Sequence, residues 1–431
     1  MSLRSAGLAV SFAFLVSVSA SGQTLSGEKM RAHVKYLASD ELEGRGVGTR
    51  GEKLATEYIA AQLKAEGVAP GGEDGTYFER VPLVGVSTQP DASLNVANRR
   101  GHFVLHYLRD FVGASQAQSE HTDFDADVIF VGHGISAPEF GWDDYKGIDV
   151  KGKVLVFFTN EPPSNDPKFF GGPALTYYGR WTYKFEEAKR RGAVAALVIH
   201  TSPTAGYGWE VVRGSNGGEH PEEKLDPEEY GLRFSGWVTE EAGQELIAPT
   251  GKTIQQLLDM SNKKSFRPIP IGHISGHIPT KLREIESRNV VGRVEGNDPM
   301  LKHQVVLVTA HWDHLGINTP VNGDKIYNGA VDNATGCAMV LDMARGWALL
   351  PQKPRRSALF LFVTAEESGL LGSDYYGHHP LVPAGQTAID INYDAFFPFG
   401  KTSDVDVTGA ERTTLWSLVQ RNAKAMNLTI I

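Results

Sequence analysis

Cysteine is almost missing from this chain: Cys337 is the only one in 431 residues. No internal disulfide can form, so the fold rests on a core rather than on covalent staples. Long apolar runs are missing too. The longest candidate, Leu8 to Val18, spans about ten residues, roughly half of what a membrane helix needs. No basic stripe is present and the formal net charge is −9, which argues against nucleic acid as a partner. Internal repeats and low-complexity tracts are absent. After His379 there is no further histidine.

What is present begins with an export signal. Residues 1–22 read as a secretory signal peptide: Arg4 supplies the positive start, Leu8 to Val18 the short apolar stretch, and Ser19-Ala20-Ser21-Gly22 the small residues for cleavage. No cysteine follows the stretch, so no lipid anchor is expected and the processed chain should leave the membrane. An exported chain with one cysteine suits a bacterial periplasm or secretion.

The chain is long enough for two or three domains. Helical spacing covers Leu25 to Leu37 and Leu54 to Leu63. The charged stretch Asp40 to Gly46 between them reads as a solvated turn. Residues 81–284 change character: glycine and proline are frequent and the strands are short, as in Val128 to Val131, Val154 to Phe158 and Ala193 to Ile199. This segment reads as an inserted, mostly-β domain. Among its histidines, His200, His273 and His277 have no metal-ligand spacing and read as ordinary. Residues 23–80 and 285–431 then form one further domain. From about 285 strands and helices alternate, which implies an α/β fold: a mixed, mostly parallel sheet flanked by helices.

Four polar segments stand where apolar strands end. Val305 to Val308 runs into Ala310-His311-Trp312-Asp313-His314. Leu359 to Thr364 delivers Ala365-Glu366-Glu367, and Ala388 to Tyr393 delivers Asp394. Asp332 lies in the glycine-flanked segment Asn328 to Gly336. Ligands of open α/β sheets sit beyond such strand ends. Imidazole with carboxylates suits zinc, with cobalt or manganese as alternatives. A carboxylate can bridge two dications, and Asp332 is placed for that. Neighbouring Glu366 and Glu367 point to opposite sides of an extended chain, so one can hold metal while the other takes a proton from the water it activates. Asp313, two residues after His311, can orient the imidazole. Taken singly, Asp332 could equally cap the helix after it, and Glu366-Glu367 could be an acidic first turn.

The four motifs together resemble those of the co-catalytic zinc exopeptidases, a family that includes bacterial aminopeptidases, glutamate carboxypeptidase and the transferrin receptor. The middle segment is similar to the protease-associated (PA) insert of that family, in Val128 to Ile135, Lys151 to Val156 and Lys184 to His200. The resemblance implies two zinc ions, with His311 and Glu367 on one, Asp394 on the other and Asp332 bridging. It implies Glu366 as general base, Asp313 as the partner of His311, and a cis peptide after Asp332. The implied activity is hydrolysis of N-terminal residues from peptides. A carboxypeptidase is the alternative within the family, but the cluster of arginines it needs is not evident. A non-catalytic receptor-like peptide-binding protein is the other, disfavoured because ligands and base are kept. One feature departs from the pattern: the family's second zinc-binding histidine, near its C-terminus, has no counterpart, and neither His314 nor His378 stands in its motif. The expectation is therefore a domain incomplete at its C-terminus, with a weakened second zinc, low activity and poor solubility.

Overall fold

The computed structural model describes residues 25–173, 175–226, 229–394 and 400–431; the segment read as a signal peptide lies outside them. The described chain starts with two helices, α1 (Gly27–Leu37) and α2 (Arg50–Ala65). Each has a hydroxyl cap, Ser26 accepting from Lys29 N and Thr49 from Gly51 N. On α2 the apolar spacing puts Ala55, Ile59 and Leu63 on one buried face. Strand β1 (Phe78–Thr88) follows.

The middle of the chain builds a core of its own, reaching from Ala92 to Ile278. Its centre is four strands, β2 (His121–Phe130), β3 (Val154–Phe158), β4 (Ala195–Ile199) and β5 (Phe234–Val238), which lie side by side and parallel. Every residue of β3, β4 and β5 is buried, as expected of parallel strands covered on both faces. Helix α3 (Trp181–Arg190) precedes β4. Strand β6 (Ile269–Val294) is 26 residues long and links the two parts of the molecule. Its first part pairs with β2, its middle with β1 from Thr280 to Val290, and its end with β8 (Ser357–Val363), all antiparallel. Residues 81–88 and 279–284, read from sequence as part of the insert, thus form a ribbon between the two cores.

The second sheet carries the polar segments. Strands β7 (Val305–His311), β8 and β9 (Thr387–Asn392) are parallel, in the order β9-β7-β8-β6-β1. The fold is mixed α/β with a flanked central sheet, as the alternation of strands and helices implied. α1, α2 and α4 (Thr335–Ala348) cover one face. On the other, Tyr376 of α5 (Leu371–His378) and Val382 pack on Leu307, Leu359 and Leu361. Near the end of the chain, Thr429–Ile430 pairs in parallel with Asp404–Val405 as a separate small sheet. No described helix is long and apolar enough to cross a membrane.

One buried acid braces the sheet below the polar segments. Glu79 on β1 stands opposite Asn289 on β6 and accepts 2.7 Å from its Nδ2, while Asn289 Oδ1 accepts from Thr364 N at the end of β8. The other Glu79 oxygen is buried without a partner among the described residues. Burial raises this carboxyl to about 7, against the opposing pull of the Asn289 bond. An acid whose folded pKa is raised favours the fold while protonated, and its ionisation weakens the fold as pH rises from about 4.5 to about 7. Glu79→Gln should flatten that part of the stability curve, read from urea midpoints across this pH range; an unchanged slope would show that Glu79 is not the group responsible.

Candidate metal centre

Register across the sheet brings the strand ends together. His311 stands beside Val363 on β8, and Thr309 beside Asn392 on β9, so His311, Glu366-Glu367 and Asp394 emerge at one edge. Asp332 comes from the segment before α4. It does not cap that helix: the residue at the cap position is Ala334, with no side-chain cap bond. Nor do Glu366 and Glu367 form a helix's first turn, because α5 begins only at Leu371. The Asp332–Asn333 peptide is cis, as the resemblance implied. Buried Asn333 ties this segment to the end of β9, donating 2.9 Å to Tyr393 O and accepting 2.9 Å from Gly336 N. Gly336 must be glycine: a Cβ there would lie 2.3 Å from Asn333 Oδ1 and 2.6 Å from Tyr393 O.

The donors fall into two trios that share Asp332. One is His311, Asp332 and Asp394; the other is His314, Asp332 and Glu367, and within each the donor atoms lie within 4.8 Å of one another. His311 Nε2 is 3.0 Å from Asp332 Oδ1 and 3.3 Å from Asp394 Oδ1. His314 Nδ1 is 2.5 Å from Glu367 Oε1. The grouping differs from the pairing drawn from sequence in two ways. His311 lies with Asp394 rather than with Glu367, and the third donor beside Asp332 and Glu367 is His314. His378 is exposed on α5 beside its own Asp374, 3.6 Å away, outside both trios. The signal for His314 was present in the motif, three residues after His311 at a strand end, but spacing alone does not say where the chain turns.

Asp313 holds this arrangement in place. It is fully buried, and its two carboxylate oxygens accept from the main-chain N–H of Glu366, 3.1 Å, and of Glu367, 3.3 Å. The His311 contact is to the main chain of Asp313: Nδ1 lies 3.2 Å from the carbonyl oxygen and 3.6 Å from the carboxylate. The hydrogen bond at Nδ1 leaves Nε2 facing the acids, a common arrangement for ligand histidines.

The residue that sequence reasoning missed is Arg45. The segment Asp40–Arg45 is not a solvated turn: Leu42, Gly44 and Arg45 are buried. The Arg45 guanidinium donates to four main-chain carbonyls, Nε to Trp312 O at 2.8 Å, Nη1 to Leu37 O at 2.5 Å and Asn328 O at 2.7 Å, and Nη2 to Gly329 O at 2.8 Å. It fastens the His311–His314 segment to the segment carrying Asp332. Beside it, Gly44 approaches so closely that a Cβ would stand 2.4 Å from Tyr327 O, and its φ of +69° is one that glycine adopts freely. Only an arginine flanked by a close-packed glycine would have hinted at this from sequence.

The electrostatics favour cations. Burial works to lower the pKa of His311, but contacts with Asp313, Asp332 and Asp394 outweigh it and drive the imidazole far above its usual range. Contact with His311 in turn holds Asp332 low. Glu366, 4.0 Å from His311 Nε2 and in neither trio, is pushed up to about 7, chiefly by burial. With one imidazole and two carboxylates, each trio has a donor set that fits a zinc-like dication.

Comparison with known proteins places part of the chain beside a peptidase family. Residues 289–431 match the model of Peptidase family M28. Aminopeptidase YwaD of Bacillus subtilis (strain 168) is 34% identical over 94 residues, 22% of this chain and 18% of that protein. The vacuolar membrane protease of Yarrowia lipolytica is 29% identical over 102 residues, 24% of this chain and 9% of that protein. The chain thus spans less than a fifth of the length of these relatives. Among solved structures, BSAP, a zinc aminopeptidase from Bacillus subtilis, is similar with a TM-score of 0.45 and 19% identity, over 94% of this chain and 79% of that one.

Arg45→Met should cost on the order of 3–5 kcal/mol, since it strands buried carbonyls that a charged donor satisfied. Arg45→Lys should not restore it, because one ammonium cannot reproduce the planar fork. Chemical denaturation checks both, and a lysine variant as stable as the parent would contradict the role of the fork.

Proposed function

We propose that this chain is a metal-dependent exopeptidase of the M28 type, an aminopeptidase that removes the N-terminal residue of peptides. The observation that carries this reading is the pair of donor trios joined at Asp332, with Glu366 beside them in neither. In this reading His311, Asp332 and Asp394 hold one zinc, and His314, Asp332 and Glu367 hold the other. When bound, the ions supply Lewis acidity and make water a competent nucleophile near neutral pH. Glu366 is the general base: it takes the proton of the attacking water and passes it to the leaving amine. Asp313 and Arg45 keep ligands and base in register. A carboxypeptidase would need arginines free to hold a terminal carboxylate, and Arg45 beside the trios gives its donors to main-chain carbonyls, which is why the aminopeptidase reading is preferred. Export to the periplasm or outside the cell rests on residues 1–22 alone.

Two variants test this. Glu366→Gln should retain both metals and lose on the order of 10²–10⁴ in turnover of aminoacyl substrates, the usual weight of a general base. Near-normal turnover at full metal occupancy would remove Glu366 from that role. Asp332→Ala should weaken both metals together in a zinc titration, whereas His314→Ala should weaken one; an Asp332 variant with one site untouched would mean that Asp332 is a terminal ligand.

A further inference from the structure

Glu366 and Glu367 lie on a short loop between the end of β8 and the start of α5. The middle of the loop, from Glu366 to Leu370, is partly exposed, whereas Thr364 and Ala365 before it and Gly372 after it are buried. Ala365 and Leu370, on either side of the two acids, have φ of +51° and +70°, in the left-handed region that residues with a Cβ rarely adopt. Such a backbone persists only where its surroundings hold it.

One side chain holds both ends. Asn289 of β6 is fully buried. Its Oδ1 accepts from Thr364 N at 2.9 Å, and its Nδ2 donates to Gly372 O, also at 2.9 Å. Gly372 N in turn donates 3.0 Å to Thr364 O, so the two ends are tied to each other and to β6. Nδ2 also donates to Glu79 Oε2 at 2.7 Å. Turning the amide over would set donor against donor at Thr364 and acceptor against acceptor at Gly372. The fit is close: a Cβ on Gly372 would stand 2.6 Å from Asn289 Oδ1 and 2.4 Å from Thr364 O. The Thr364 hydroxyl is tied to the same strand, 2.6 Å from Ser287 Oγ.

We propose that Asn289 is a positioning residue for the reaction: by closing the loop between β8 and α5 it sets Glu366 as base and Glu367 as ligand, a role that rests on the exopeptidase reading of those two acids. Asp313 fixes the amides of Glu366 and Glu367 from the end of β7, and Asn289 fixes the ends of their loop from β6. An amide is needed because the loop presents one donor and one acceptor. A carboxylate at this place would match Thr364 N but set an oxygen against Gly372 O, and a methyl group would leave Thr364 N buried and unpaired. A base misplaced by about 1 Å loses on the order of 10²-fold in rate, and a ligand that loses its support loses on the order of 10–100-fold in metal affinity.

The test compares the parent, Asn289→Ala, Asn289→Asp, Glu366→Gln and the double variant Asn289→Ala/Glu366→Gln, each as the zinc-loaded full chain. Asn289→Ala should lower kcat on aminoacyl amides by on the order of 10²-fold with KM within a few-fold. In the Glu366→Gln background the same change should cost almost nothing more, because the base that it misplaces is already gone. Zinc titration by calorimetry gives a readout that needs no turnover: Asn289→Ala should weaken the site that holds Glu367 by on the order of 10-fold and leave the other as it was. Asn289→Asp, which keeps the size and the Thr364 bond, should show the same two effects, and decides the matter if Asn289→Ala does not fold. An equal loss of kcat with and without Glu366, or equal weakening of both zinc sites, would show a general loosening of the fold and overturn the proposal. Folded Asn289 variants with the parent's kcat and titration would overturn it too and leave the aminopeptidase reading standing. No turnover by the parent, with the Glu367 site alone weakened in the variants, would overturn that reading and keep Asn289 as the support of the loop. No turnover and an unchanged titration would overturn both.

Discussion

A buried cation with no direct acidic partner is costly unless its donors are all satisfied, and Arg45 meets that condition through main-chain carbonyls alone. Those carbonyls come from α1, from the end of β7 and from the segment before α4. The same guanidinium therefore fixes where His311 and His314 leave the sheet and where Asp332 meets them. Burial lowers its pKa, while Asp313, Asp332 and Glu367 nearby act in the opposite direction. The clamp and the acidic site are thus mutually dependent: the acids compensate the charge that holds their backbone in place.

The sheet supplies the rest of the precision. Three parallel strands end in register at one edge, so residues distant in sequence converge without long loops. Asp313 then spans β7 and β8 by accepting from the Glu366 and Glu367 amides, and Asn333 spans α4 and β9 in the same manner. The carboxylates of Asp332 and Asp394 contact His311 yet stay half exposed, with side-chain exposures of 48% and 40%, and open to solvent and ligand.

Much of this was legible in sequence because strands buried on both faces are continuous apolar runs. Val305 to Val308 and Leu359 to Thr364 could be placed, and with them the residues at their ends. What spacing could not give was which of two histidines three residues apart pairs with which acid, since that depends on the turn after His311 and on the main-chain bond of His314 N to Arg45 O. Arg45 was illegible for a related reason: its partners are carbonyl oxygens, which carry no sequence signature. The continuity of β6 through both cores was hidden as well, because its glycines, prolines and charged residues resemble a series of short elements rather than a strand of 26 residues.

The central claim is that two three-donor metal sites share Asp332 and divide the remaining ligands as His311 with Asp394 and His314 with Glu367. Anomalous diffraction from crystals of the zinc-loaded protein tests it most directly. Two peaks should appear on either side of Asp332, roughly 3.5–4 Å apart as in co-catalytic pairs, one touching His311 and Asp394 and the other His314 and Glu367. A single peak, or one ion bound by His311 and Glu367 together, would contradict the account.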